Sequence, residues 1–116
     1  MYPWGDKTDP NCANYGDTGI GTTSAVGCFG AGTNHFGLLD MSGNVWEWTR
    51  SNYEGYPYQT KCENLAAGTD YARVLRGGAF GIDQRVVRCA YRYMNVPHFR
   101  HDFVGFRVVL SPPIFI

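Results

Sequence analysis

The stretch FGLLDMSGNVWEWT at residues 36–49 decides the fold, because it joins a tight turn to a strand with two different faces. Residues 40–44 are Asp, Met, Ser, Gly and Asn, a composition typical of tight turns. The residues that follow alternate, with Trp46 and Trp48 on one face of a strand and Glu47 on the other. Trp46 is therefore predicted to lie in the core.

Working outward, three further blocks have the composition of strands, and Gly-, Asn- and Asp-rich loops separate them. Alternation over short runs, with few helical patterns, predicts an α+β domain in which a small antiparallel sheet carries long Gly-rich loops. We expect little helix, and we expect Phe106 in the core beside Trp46. The predicted strands are ARVLRGG at 72–78, VRCAYR at 87–92 and VGFRVVL at 104–110, and the longest loops are 1–35 and 52–71.

Length and charge restrict the function classes. A chain of 116 residues is enough for one domain with a single core. It contains no apolar run of the roughly 18 residues that a membrane-spanning helix needs. Residues 71–116 hold seven arginines against two acids, but the arginines form no basic run, helix or stacking motif. We therefore expect neither a membrane span nor nucleic-acid binding.

The chain has four cysteines, at positions 12, 28, 62 and 89. None of them forms a CxxC pair, which argues against a structural zinc site. An even number in a short chain permits two disulfides in an oxidising compartment, and three pairings are then possible. Cys89 also fits a small buried apolar residue.

The order of several motifs resembles one known family. YPWGD, CANYGDTG, GTT, FGLLDMSGNVWEWT, RVLRGGAF and VGFRVVL occur in the order found in formylglycine-generating-enzyme-like (sulfatase-modifying factor) domains, a branch of the C-type lectin fold. The resemblance covers nearly the whole chain and implies a single domain over 1–116. Family domains begin earlier, so we expect their N-terminal part to be missing here.

The resemblance implies calcium in two loops. In the first, the ligands would be the side chains of Asp40 and Glu47 and the carbonyls of Gly43 and Val45. Oxygen ligands on a Gly-rich turn suit calcium, which takes six to eight of them. The alternative is that Asp40 caps a turn while Glu47 pairs with Arg76 or Arg107. The second, weaker set matches the family pattern at Asn14, Tyr15, Asp17 and Gly19.

Catalysis is not expected. The enzymes of the family hold copper with two cysteines located between the GG motif and RCA, and here that interval, FGIDQRVV, contains none. Copper(I) prefers such soft thiolate ligands. A relative that binds iron uses three histidines, but His35, His98 and His101 do not match its order. The sugar-binding EPN and QPD triplets of other lectins are also absent.

The segment GIDQRVVRCAYRYMNVPHFRHDF at 81–103 resembles the variable region of proteins diversified by retroelements, which mutate adenines in asparagine codons. Such variation leaves Gln84, residues 87–92, Pro97 and Arg100 as a fixed frame, while Met94 interrupts the pattern. Every residue at the remaining positions can be reached from AAC or AAT by changing adenines alone. These thirteen variable positions are Gly81, Ile82, Asp83, Arg85, Val86, Tyr93, Asn95, Val96, His98, Phe99, His101, Asp102 and Phe103.

The sequence thus predicts a ligand-binding protein, without catalysis, on a calcium-stabilised scaffold. Its partner would be a protein or another surface ligand, with Tyr93, Phe99 and Phe103 as anchors. Display at a cell surface, secretion or carriage by a phage would suit such a protein. Two alternatives stay open: these aromatics complete an ordinary core, or the domain is a fixed, inactive accessory module of the same family.

Overall fold

A computed structural model describes residues 1–63 and 70–113 and contains one four-stranded sheet. The strands are β1 (Trp46–Asn52), β2 (Arg73–Arg76), β3 (Tyr93–Asn95) and β4 (Val104–Gly105), in the spatial order β3-β2-β1-β4. β1 pairs antiparallel with β2, and β2 pairs antiparallel with β3. Trp46 is 3% exposed, as its place in the alternating stretch predicts.

Helix is limited to short turns, as expected. The described residues form three 3₁₀ turns, Gly16–Thr18, Gly30–Gly32 and Thr60–Glu63, and no α-helix. Accordingly, no helix in this part of the chain could cross a bilayer. The small sheet and the long loops match the predicted C-type lectin architecture.

Two apolar clusters form the core. One surrounds Trp46, Leu75 and Ala79, on the face of the sheet that Trp48 also covers. The other joins Tyr2, Ala13, Tyr15 and Val87, which come from the N-terminal loops and from the segment after β2. The second cluster is built without strands, so it shows how the long first loop is held in a fixed place.

The turn at residues 40–44 ties the loops to the sheet. Asp40, Gly43 and Asn44 have positive φ angles of 55°, 81° and 68°, which reverse the chain just before β1. The backbone of Asn44 bonds in both directions: its N–H donates to the carbonyl of Asn14, and its carbonyl accepts from the N–H of Phe80. Its side-chain Oδ1 accepts from the N–H of Ser24. One residue therefore connects three separate loops.

The sheet is mixed, whereas an antiparallel sheet was predicted. β4 lies parallel to β1, with Trp46 opposite Val104 and Glu47 opposite Gly105. The chain crosses from β1 through β2 and β3 before it returns to the free edge of β1, and this long connection permits a parallel pairing. The antiparallel prediction holds only for the other two strand pairs.

The predicted strand at 87–92 is wrong, because its main chain bonds outside any ladder. Ser42 donates its hydroxyl to the carbonyl of Val87, and Cys89 donates its N–H to the carbonyl of Met1. Arg76 donates to the carbonyls of Cys89 and Tyr91. The third strand begins only at Tyr93.

The last predicted strand is also shorter than expected. Only Val104–Gly105 pairs, and the following residues carry an alternating pattern without a ladder. Phe106 is 74% exposed, so its predicted place in the core is wrong. An alternating run becomes a strand only where another strand lies beside it.

Cys12, Cys28 and Cys89 are free thiols in the structure, so it does not contain two disulfides that use all four cysteines. The Cys12 thiol is buried and approaches the carbonyl of Ala31 at 3.4 Å. Burial raises the pKa of this thiol. Cys89 is exposed rather than buried.

Gly43 provides a direct test of this loop packing. A Cβ added there would lie 2.4 Å from the carbonyl oxygen of Asn14, whereas one added at Gly37, with a similar φ of 79°, would meet nothing within 4 Å. We expect Gly37→Ala to cost about 1 kcal/mol of unfolding free energy from the positive φ. Gly43→Ala should cost about 3 kcal/mol or more, since overpacking adds to that strain. Urea denaturation of the two variants would measure both, and equal losses would contradict this packing.

Candidate functional site

Four of the thirteen positions that are predicted to vary pack against Trp46 or its apolar cluster. Each of the thirteen is exposed or half-buried, whereas Val87, in the proposed fixed frame, is fully buried. Ile82, Val86 and Phe103 pack against the Trp46 cluster from outside. The ring of Tyr93 lies 5.2 Å from that of Trp46, measured between centroids. Residues from both ends of the segment thus converge on one tryptophan.

The scaffold holds this segment largely through its main chain. Gly16 donates its N–H to the carbonyl of Ile82 at 2.9 Å, and Tyr2 donates its hydroxyl to the carbonyl of Gln84 at 3.0 Å. The Trp46 N–H donates to the carbonyl of Phe103 at 2.8 Å. Every residue type has such a carbonyl, so these anchors do not depend on the side chains at the variable positions.

The side chains at these positions make polar contacts mainly with one another. Arg85 donates its Nε to Asp83 at 2.9 Å, and this hydrogen bond lowers the pKa of the Asp83 carboxyl. His101 Nδ1 lies 2.5 Å from the carboxylate of Asp102. In residues 1–63 and 70–113, every side-chain hydrogen bond and ion pair of the thirteen positions goes to another of the thirteen. Replacing them would therefore leave no fixed polar partner unsatisfied.

Aromatic rings gather at one end of the segment. His101 lies 3.9 Å from Phe103 and 6.1 Å from Phe99, between ring centroids. Phe103 also packs against the Trp46 cluster, so for this residue the alternative interpretation as core holds in part. Tyr93 is 39% exposed and offers contact area to a ligand.

At the first predicted calcium position, Arg107 pairs with the carboxylate of Glu47. Arg107 donates to both oxygens of Glu47, at 2.8 and 2.9 Å, and to the main-chain carbonyls of Leu39 and Asp40. Asp40 Oδ2 accepts from the N–H of Gly27 at 2.7 Å. Both carboxylates line one open cavity of about 440 Å³ together with Val45 and Arg107. Ionised carboxylates have about four acceptor sites each, so these contacts leave capacity for calcium.

At the second predicted calcium position, the side-chain oxygen of Asn14 has no hydrogen-bond donor. Asn14 is 1% exposed, and its Nδ2 donates to the carbonyl of Thr22 and the hydroxyl of Ser24. Its Oδ1 is buried with no hydrogen-bond partner. A buried acceptor of this kind is costly unless a donor or a cation satisfies it. The oxygen therefore fits a calcium ligand, while Asp17 lies on the exposed side of the same loop.

The histidines are spread over the surface. His35 contacts Phe36, with centroids 3.8 Å apart, whereas His98 and His101 belong to the variable segment. Over 1–63 and 70–113, no three His, Cys, Asp or Glu side chains are grouped so that they could hold a metal ion.

Sequence reasoning missed a second polar centre beside the sheet. The guanidinium of Arg92 lies over the rings of Tyr56 and Tyr53, with its carbon 4.4 and 5.0 Å from their centroids. It also donates to the carbonyl of Glu54 at 2.9 Å. The tyrosine-rich run YEGYPY at 53–58 was the available indication, because clustered tyrosines in a loop favour contacts with arginine.

Known proteins share both the sequence pattern and the fold. Hercynine oxygenase of Mycobacterium tuberculosis is 34% identical over 92% of this chain and 26% of its own length. Inactive C-alpha-formylglycine-generating enzyme 2 of Mus musculus is 33% identical over 96% of this chain and 37% of its own. The chain thus spans roughly a quarter to two fifths of these curated relatives.

A solved structure shares the fold of this chain. Treponema denticola variable protein 1 superposes with a TM-score of 0.69 and 29% identity, over 83% of this chain and 34% of that one. The family model for the sulfatase-modifying factor enzyme 1-like domain matches residues 1–112. With its GNVWEWT turn and strand, its RGG and GFR motifs and this fold, the chain belongs to the sulfatase-modifying factor family, the formylglycine-generating-enzyme-like branch of the C-type lectin fold.

Proposed function

We propose that this domain is a non-catalytic ligand-binding protein whose segment 81–103 is diversified by a retroelement. The main-chain anchoring of the segment carries the proposal. Residues of the N-terminal loops, of the turn at 40–44 and of β1 bond to the carbonyls of Ile82, Gln84, Val87 and Phe103, and these bonds do not depend on the side chains at the variable positions. The similarity to a variable protein of Treponema denticola supports the same conclusion.

Recognition would be non-covalent and directed at a protein surface. Tyr93 and Phe99 supply aromatic area at low entropic cost, and the polar positions between them adjust specificity. Asp83, Arg85, His98 and His101 are exposed and bring both signs of charge. Such a mixture of rigid aromatics and adaptable polar groups is typical of paratopes.

We propose further that the domain catalyses no reaction. The curated relatives include an enzyme, hercynine oxygenase, and a protein named as inactive. Residues 80–87 contain no cysteine, so the thiolates that copper(I) prefers are missing from that interval. The alternative is a fixed, inactive accessory module, which would share the scaffold but would not tolerate or require a varied segment.

Calcium would stabilise the loops beneath the ligand face. Asn14, with its unsatisfied buried oxygen, would hold one ion together with Asp17 and the carbonyls of Tyr15 and Gly19. Asp40, Glu47 and the carbonyls of Gly43 and Val45 would hold the other, next to Arg107. Bound calcium would neutralise the carboxylates and fix these loops.

Stability should depend on the frame and not on the exposed variable positions. We expect Arg85→Ser and His98→Ser each to change the unfolding free energy by less than about 0.5 kcal/mol, as for other surface substitutions. Val87→Ala, in the frame and fully buried, should cost about 2 kcal/mol. Chemical denaturation of the three variants would show the difference. A loss of 2 kcal/mol or so at Arg85 or His98 would place them in the framework instead.

The binding function is tested most directly with two display libraries. One library randomises four of the thirteen variable positions, Tyr93, His98, Phe99 and His101. The other library randomises four positions outside the thirteen, Ser42, Arg76, Val87 and Arg92. We expect most members of the first library to fold, and selection against a folded protein target to enrich binders from it. The second library should yield few folded members. Equal loss of folding in both libraries would exclude a diversified face, and a folded first library without binders would favour the accessory module.

Calcium should raise the melting temperature of the wild-type domain relative to the same protein in chelator. At free calcium one hundred times Kd, the expected stabilisation is about 2.7 kcal/mol per site. Asn14→Ala should abolish the part due to the loop at 14–19, and paired Asp40→Ala and Glu47→Ala substitutions should abolish the part due to the turn. A wild-type melting temperature that is the same in calcium and chelator would contradict both sites.

Arg107→Gln separates the two interpretations of the turn. If calcium binds Asp40 and Glu47, this variant keeps the calcium-dependent rise, because both carboxylates remain. If Arg107 is the cation that Glu47 requires, the variant loses stability equally with and without calcium. Differential scanning calorimetry in calcium and in chelator distinguishes the outcomes.

A further inference from the structure

A second cavity lies beside β1, apart from the variable positions. It encloses about 290 Å³, and its wall includes Asn52, Tyr56, Arg76 and Arg92. None of the thirteen variable residues lines it. Since a water molecule takes about 30 Å³ of liquid volume, the space holds a ligand of roughly ten non-hydrogen atoms.

The arginine at this cavity is fixed in orientation. Tyr56 and Tyr53 lie against the guanidinium of Arg92, and the carbonyl of Glu54 accepts from its Nη1. With rings stacked against it and Nη1 bonded to Glu54, the group keeps further N–H donors at its edge for a planar acceptor. Carboxylates match that planar fork with two parallel hydrogen bonds.

The charge of the cavity fits a single negative charge. Among the described residues that line it, Arg76 and Arg92 are cationic and Glu54 is acidic, which leaves one net positive charge on them. Arg76 already donates to the carbonyls of Cys89 and Tyr91 and to the Tyr56 hydroxyl at 3.4 Å, so it holds the wall in place. A monoanion would neutralise the cavity.

We propose that this cavity binds a small organic monoacid, with Arg92 as its carboxylate receptor. Acylated amino acids and sugar acids both have that chemistry. Because every residue of the site lies outside the variable positions, the ligand would stay the same while the neighbouring face changes its own. The site would thus add a constant specificity to a domain with a variable one.

The test is an NMR titration of the full 116-residue chain with N-acetylalanine and with glucuronate. The neutral analogues N-acetylalaninamide and glucose serve as ligand controls. We expect at least one acid to shift the amide signals of residues 52–58 and 92 in a saturable way, and which acid does so identifies the source. Neither neutral analogue should shift them. Absence of saturable shifts with both acids, or equal binding of a neutral analogue, would overturn the proposal.

Two substitutions at Arg92 and one elsewhere locate the binding. Arg92→Gln should weaken the acid about tenfold or more, because it removes a charged hydrogen-bond donor. Arg92→Lys keeps the charge but loses the planar fork and should show an intermediate loss. Arg85→Gln, a matched change in the variable segment, should leave the affinity unchanged. Melting curves verify that each variant is folded, and equal weakening by Arg85→Gln would overturn the assignment to this cavity.

The wild-type domain keeps this proposal separate from the diversified face. If it binds neither acid while the first library yields target binders, the cavity proposal alone is contradicted. If it binds an acid while the first library yields no target binders, the diversified face alone is contradicted.

Discussion

The hydrogen bond from the Trp46 N–H to the carbonyl of Phe103 is the contact on which the proposed ligand face depends. It starts the parallel pairing of β1 with β4 and so brings the end of the segment 81–103 back beside its beginning. Trp46 then provides the apolar base on which Ile82, Val86 and Phe103 rest. Without this closure, the segment would leave β3 with no fixed return to the core.

The long loops are also held in place by backbone hydrogen bonds. A small sheet cannot pack against thirty-five residues of loop, so the loops bond to one another through backbone groups, with Asn44 and Gly43 at the centre. Close approach of backbones requires glycine where a Cβ would collide, as at Gly43 with Asn14. Such a framework is specified by few residues and leaves many surface positions unconstrained. That separation between framework and surface is what a diversified binding protein needs.

The sequence pattern predicted the strands whose formation depends mainly on their own residues. Trp46 is buried and Trp48 packs against the same apolar cluster, as their spacing in the strand predicts. The second strand, Arg73–Arg76, lies within the predicted stretch 72–78. The block at 87–92 has a similar pattern, but its carbonyls are taken by Ser42 and Arg76 from elsewhere in the chain. Phe106 is apolar but lies past the end of the pairing between β1 and β4. Pairing partners distant in sequence decide these cases, and a single sequence does not display them.

At the candidate site, too, the sequence predicted some features and missed others. Motif resemblance predicted the variable positions and the acidic turn, and in the structure all thirteen positions are exposed or half-buried. Of the two arginines that the sequence offers as partners of Glu47, the structure pairs Arg107 with it. The sequence did not reveal that Arg107 also donates to the carbonyls of Leu39 and Asp40, because these contacts join residues more than sixty positions apart. The cavity at Arg92 was missed for the same reason, since its parts come from β1, from the loop after it and from the frame of the variable segment.

The decisive measurement is to sequence this gene, with its flanking DNA, from many individuals of the source population. If the segment is diversified on a main-chain-anchored frame, amino-acid differences will concentrate at the thirteen variable positions and a near-copy of the segment will lie nearby. Val87, Arg92 and the residues of the Arg92 cavity will be the same in every copy. A uniform segment without a second copy, or differences spread equally over frame and surface, would contradict the proposal of a diversified binding protein.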